Sequence, residues 1–158
     1  MQNSSEVSTE TASIESNNGS FRNFSWRSAL LGAAVGIAGP AYFGTLFSNV
    51  TLRVLLGRGH SLQEAYAFLF QYSFSFPVIA NLVAEVFFSI ACGWVSAAYG
   101  RGAPIVQGIA AGLLAVSFTI IMFLSPTGGA MPLLFRAISL IVPVLGSIAG
   151  AYAFARKP

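Results

Sequence analysis

The sequence predicts an all-α integral membrane protein: a bundle of four transmembrane helices with an extra interfacial helix after the first span. Three observations predict it. Only 8% of the 158 residues are charged and 55% are hydrophobic, whereas about a quarter of a soluble domain is charged. The apolar residues fall into blocks of roughly 20, enough to cross a hydrocarbon layer of about 30 Å as helices. Short joints of Gly, Pro, Ser and Arg separate the blocks, leaving room for one compact domain over 25–158 and none for a second.

The chain opens with a polar tail, residues 1–24, made mainly of Ser, Thr, Asn and Glu. It has too few apolar groups to offset the entropy of ordering and is expected to be disordered. It lacks the apolar run of a signal peptide, so the first span is expected to act as its own targeting signal. Span one covers Ala29 to about Val50, preceded by Arg22 and Arg27, with Trp26 placed for the headgroup layer. Gly39 and Pro40 near its centre predict a kink, since proline removes a hydrogen bond and crowds the carbonyl of Gly36.

The joint from Thr51 to Phe76 is the longest. Within it, Ser61-Leu62-Gln63-Glu64 has the form of a capping box and predicts a helix over 62–75. Pro77 disfavours helical geometry at Phe76, and a continuous helix from 62 to 99 would be about 57 Å long, so the aromatic piece is set apart as an interfacial helix or a lid over the spans. Span two, Pro77 to Tyr99, is followed by Gly100-Arg101-Gly102, which can only join antiparallel neighbours. Span three covers 103–124, the turn formers Ser125 to Ala130 follow, and span four runs over 131–155 to a stop at Arg156 and Lys157.

Four spans put both termini on one side. That side holds Arg22, Arg27, Arg101, Arg156 and Lys157, against Arg53, Arg58 and Arg136 on the other, so positive-inside counting places both ends in the cytoplasm. The basic residues are dispersed and form no nucleic-acid patch. The expected partners are the lipid bilayer and either a second copy of the chain or another membrane protein.

Small residues recur at four-residue spacing. Gly32-xxx-Gly36 aligns with Gly108-xxx-Gly112 at an offset of 76, and Gly93-xxx-Ala97 with Gly146-xxx-Gly150 at an offset of 53, which admits two repeated helical hairpins. Because lipid supplies no hydrophobic drive between helices, such ridges are expected to bring backbones together and gain dispersion contacts. The junction from Cys92 to Arg101, followed by Gly108 to Gly112, resembles a pattern of small four-span bacterial membrane proteins of unassigned function. That resemblance implies nothing about activity; the expected location is a bacterial inner membrane.

Chemistry is confined to few residues. One Cys and one His, Cys92 and His60, provide no disulfide within a chain and no metal cluster, and no cofactor is expected. The spans hold one carboxylate, Glu85. On a helix turning about 100° per residue, Asn81, Glu85, Ser89, Cys92 and Ser96 share one face of span two, while Arg136, Ser139, Pro143, Gly146, Ser147 and Gly150 share one face of span four. These faces are expected to meet. Glu85 either is protonated or pairs with Arg136 and so holds the two spans in register, or serves as a proton or cation site in a path lined by Asn81, Ser89, Gln107 and Ser147; contact with a lipid headgroup or partner helix is a third use. The small multidrug transporters carry their essential glutamate in the first span, which here has none. Catalysis is not expected, since the spans offer no Asp, no second carboxylate and no nucleophile with a base. The function expected from sequence is a structural or interaction subunit of a membrane assembly, with a small channel or transporter using Glu85 as the alternative.

Overall fold

A computed structural model describes residues 24–71, 76–124 and 133–156. The tail over 1–23, the joint Ser125 to Ala130 and the terminal Lys157 lie outside the described residues. Five helices follow one another: α1 Trp26–Gly57, α2 Leu62–Gln71, α3 Phe76–Tyr99, α4 Pro104–Phe123 and α5 Leu133–Ala155. Helices α1, α3, α4 and α5 are long and apolar enough to cross a membrane, so the protein is an integral membrane protein built as an all-α bundle of four spans.

Three of the spans lie within two residues of their expected limits, and α1 does not. Its 32 residues carry it seven beyond the expected end at Val50, to a length of about 48 Å. Thr51-Leu52-Arg53-Val54-Leu55-Leu56 contains no helix breaker, so Arg53 marks where polarity returns and not where the helix ends. The stop is Gly57-Arg58-Gly59. Gly59 has φ +88°, its N–H donates to the Leu56 carbonyl at 3.0 Å and the His60 N–H donates to the Leu55 carbonyl at 3.2 Å. This is the crossed pair of bonds that closes a helix on a left-handed glycine. At the other end the Ser25 hydroxyl accepts from the Ser28 N–H at 3.4 Å, an N-cap. The helix continues through Pro40.

The capping box of α2 forms as expected. The Ser61 N–H donates to Glu64 Oε2 at 2.8 Å and the Glu64 N–H donates to Ser61 Oγ at 3.3 Å. Helix α2 packs against α1, with Ala65 and Leu69 buried. Residues 72–75 of the expected interfacial helix lie outside the described residues.

Helix α3 is the centre of the bundle. It packs most extensively against α1 and α5, and it also touches α4, which in turn contacts α1 and α5. The four spans therefore form a rhombus with α3 and α4 on the short diagonal and α1 and α5 on opposite sides. The described interior is made of small residues such as Ala29, Ala33, Ala97, Ala111, Ala115 and Ala151, while Val83, Phe87, Ile121, Leu134 and Leu145 point outward. Large apolar groups outside and small ones inside is the arrangement a lipid solvent favours.

Glycines bring the backbones together. A Cβ on Gly93 would lie 2.6 Å from the Ser147 Cα, and one on Gly150 would lie 2.9 Å from the Trp94 nitrogen and press on the Ile90 carbonyl. Gly146 faces Ser89 from the other helix. Within the hairpins the contacts repeat: Gly32 faces the Cys92 carbonyl and the Ser96 Cβ, and Gly108 faces the Ser147 carbonyl and the Ala151 Cβ. From Cys92 to Ser147 and from Ser96 to Ala151 is 55 residues, two more than the sequence alignment of these helices suggests. The Gly93-Ala97 and Gly146-Gly150 matches are thus not equivalent positions of two hairpins. Gly93, Gly146 and Gly150 line the interface between α3 and α5.

Two outcomes test this packing. Gly150→Val is expected to lower the unfolding midpoint in detergent by the equivalent of about 1 to 3 kcal/mol, the usual cost of overpacking, whereas Gly57→Ala, with nothing within 4 Å of its added carbon, leaves it unchanged or higher. The exposed Glu64 carboxyl is held below its ordinary value of 4.5, first by the Ser61 amide and then by the Ser61 hydroxyl, with His60 Nδ1 3.8 Å away. A lowered folded value means the cap stabilises α2 above the ordinary carboxylate pKa and is lost as pH falls through the folded one. Amide protection at the start of α2 is expected to drop across that acidic window, and Glu64→Gln, which keeps an acceptor for the Ser61 amide but does not titrate, is expected to remove the step.

Candidate functional site

Glu85 lies in the middle of α3 and is 8% exposed. Its face is set by the i, i+4 spacing of Asn81, Glu85 and Ser89, and α5 lies across from it. Ser139 Oγ donates to Glu85 Oε2 at 2.9 Å, with Ser139 itself buried. The two polar faces meet, and the donor to Glu85 is Ser139. Arg136, the expected ion-pair partner, stands one turn earlier in α5.

The carboxyl borders a cavity of about 610 Å³ walled by all four spans. Helix α1 makes room for it with Gly36, Pro40 and Gly44 in one row, four residues apart, and the polar Thr45, Ser48 and Asn49 continue that wall outward. From α3 come Pro77, Val78, Asn81 and Glu85, and from α5 Phe135, Ser139 and Pro143. Helix α4 contributes Phe118, Thr119, Met122 and Phe123, and Leu69 of α2 reaches the same space, the position of a lid. On the flank where α1 meets α3, ring pairs close the wall: Phe43 to Phe88 at 5.5 Å and Phe47 to Phe76 at 5.9 Å between centroids.

The cavity occupies only the half of the bundle away from the termini. Gly36 and Ala115 stand at its inner end. Beyond them Gly36 meets Cys92, and Gly32 meets Ser96 and Ala111. Ser147 fills the space beside Gly108 and Gly112, and its hydroxyl donates to the Val144 carbonyl at 3.0 Å. Small residues in contact leave no room for a path there.

Of the residues expected to share a site, Asn81 and Glu85 line the cavity, and Asn81 Oδ1 lies against Gly44. Ser89 is one turn deeper, buried against Gly146 between α3 and α5. Gln107 belongs elsewhere. With its amide oriented to satisfy both atoms, Gln107 Oε1 accepts from the Ser25 N–H at 2.7 Å, and its nitrogen donates to the Ser25 carbonyl at 3.1 Å and to Ser28 Oγ at 2.9 Å. It clasps the N-cap of α1. Because Gly39 faces Phe88 and Gly44 faces Asn81, Glu85 is level with about residue 41 of α1, which puts it roughly 20 Å along the axis from Ser28 and Gln107.

Sequence reasoning left Thr45, Ser48, Asn49 and Thr119 aside, though polar residues three and four apart in an apolar span are a readable signal of an inward face. Ser139 was on the expected face of span four without a role of its own. Among the described residues, no three His, Cys, Asp or Glu stand together as a metal cluster.

A double-mutant cycle tests the pairing. Glu85→Leu and Ser139→Ala are expected to show a coupling of about 1 kcal/mol or more in unfolding free energy, whereas Glu85→Leu and Gln107→Leu are expected to add within about 0.5 kcal/mol. No protein-family model, no curated protein and no solved structure matches this chain.

Proposed function

We propose that this protein is a small transporter or channel in which Glu85 is the site for a proton or cation, reached from the side of the bundle opposite the termini. The observation that carries the reading is a buried carboxyl at the edge of a cavity whose α1 wall carries Thr45, Ser48 and Asn49 and whose inner end meets closely packed small residues. Energetics support it. A charged group at mid-helix costs at least 2.5 to 3.5 kcal/mol on the gentlest scales, roughly, and one hydrogen bond from Ser139 returns only about 1 to 3. A helix clamp needs no such group, since packing at Gly93 and Gly150 already holds α3 to α5. A carboxyl kept at net cost beside a cavity is the pattern of an ion pathway.

In the proposed setting, a bacterial inner membrane with both termini in the cytoplasm, the cavity faces outward. The alternative, a structural or interaction subunit working as an oligomer or with another membrane protein, gives the cavity and its carboxyl no task.

Flux into liposomes separates the two readings. Flux of protons or of a monovalent cation, organic or inorganic, above protein-free vesicles, reduced at least tenfold by Glu85→Gln, is the expected result. Equal flux in both proteins, or none in either, favours the subunit reading. A C-terminal reporter active only outside the cell would overturn the orientation.

A further inference from the structure

Resting on the reading of Glu85 as a cation site, we infer that its ligand is a monovalent organic cation with an apolar body, and not a bare metal ion. Among the described residues, the cavity lining carries one charged side chain, Glu85, and no second carboxylate to balance a divalent ion. Hard cations such as calcium and magnesium take six or more oxygen ligands, roughly, at 2.0 to 2.6 Å. Here the oxygens are spread along the cavity. Ser139 is at the carboxyl, Thr119 lines the cavity from α4, and Asn81 and Thr45 are about one turn away, while Asn49 is about 12 Å farther along α1, eight residues beyond the level of Glu85. The Thr45 and Thr119 hydroxyls already donate to the Ala41 and Ala115 carbonyls of their own helices, and oxygens spread over about two turns match a compact shell poorly.

The remaining wall suits an organic body. Leu69, Ile37, Phe118, Met122, Phe123 and Phe135 come from four helices and line one space. A volume of 610 Å³ lies within the roughly 300 to 1,000 Å³ of small-molecule sites, which combine apolar walls with a few polar anchors. Aromatic faces also attract a cation within about 6 Å of the ring centre. A cation with alkyl or aryl groups can therefore place its charge at Glu85 and its apolar surface on Phe118, Phe123 and Phe135.

A proton and the organic cation compete for the same carboxyl. Within the cavity, α1 presents Pro40, Ala41 and Thr45 toward it, α4 presents Phe118 and Thr119, α5 presents Ser139 and Pro143, and α2 presents Leu69, none of which is ionisable. On α5, Arg136 lies one turn from Ser139; on α3, Cys92 lies two turns toward the closed half.

The test uses the full chain purified in detergent, with tetraphenylphosphonium as the probe and neutral triphenylphosphine oxide as its control. Expected are saturable binding of one cation per chain, weakening as pH falls, at least tenfold loss in Glu85→Gln and retention in Glu85→Asp. The Asp variant separates a missing charge from a misfolded bundle. Equal binding of the neutral compound, equal binding by Glu85→Gln, or no saturable binding would overturn the inference. If the probe fails to bind while sodium or proton flux still depends on Glu85, the organic ligand is wrong and the cation site stands; if neither depends on Glu85, both fall.

Discussion

The close approach of helix backbones at small residues is the constraint from which the rest of this bundle follows. In lipid, apolar side chains gain little by leaving the solvent, so association depends on dispersion contact and on how near two backbones can come. Gly93 against Ser147 and Gly150 against Ile90 join α3 to α5, and Gly32 and Gly36 against Cys92 join α1 to α3. Gly108 and Gly112 do the same between α4 and α5. All these contacts concentrate in the half of the molecule that carries the termini.

This concentration leaves the other half free to stay apart. Beyond Gly36 and Ala115 the walls become Pro40, Gly44, Phe118, Met122 and Phe135, which enclose space where the first half fills it. One end of the bundle is thus a knot and the other a vestibule, with Glu85 and Ser139 near the boundary. The position of Glu85 is more informative than its presence. A carboxyl in the knot would be a packing fault, whereas at the edge of the cavity it borders open space.

Two sets of polar side chains do different work. Ser25, Ser28 and Gln107 satisfy backbone and side-chain groups at the start of α1 and tie it to α4. Ser61 and Glu64 close the start of α2, and Gly59 turns the chain between them. These are terminal devices: the Ser61–Glu64 cap is local, whereas the Gln107 clasp joins α1 to a residue 79 positions from Ser28. Thr45, Ser48, Asn49, Asn81 and Glu85 instead point into one cavity from two helices, a grouping that exists only when α1 and α3 lie side by side.

The sequence by itself determined whatever depends on neighbours in the chain. Hydropathy over about 20 residues marked four spans, because crossing a bilayer is a demand on one helix alone. The Ser61 to Glu64 box was legible because a cap spans three residues, and the shared faces of Asn81, Glu85 and Ser89 followed from helical period. The far end of α1 was missed because polarity at Arg53 reports where lipid could end, while the helix obeys the breaker at Gly59. Only the tertiary structure decided depth and partner. It placed Gln107 roughly 20 Å from Glu85, because α4 runs parallel to α1 with Gln107 level with Ser28. It also gave Glu85 to Ser139 and shifted the two hairpins' register to 55 residues. Axial position between helices is fixed by which small residues meet, and that is a property of pairs that no single span records.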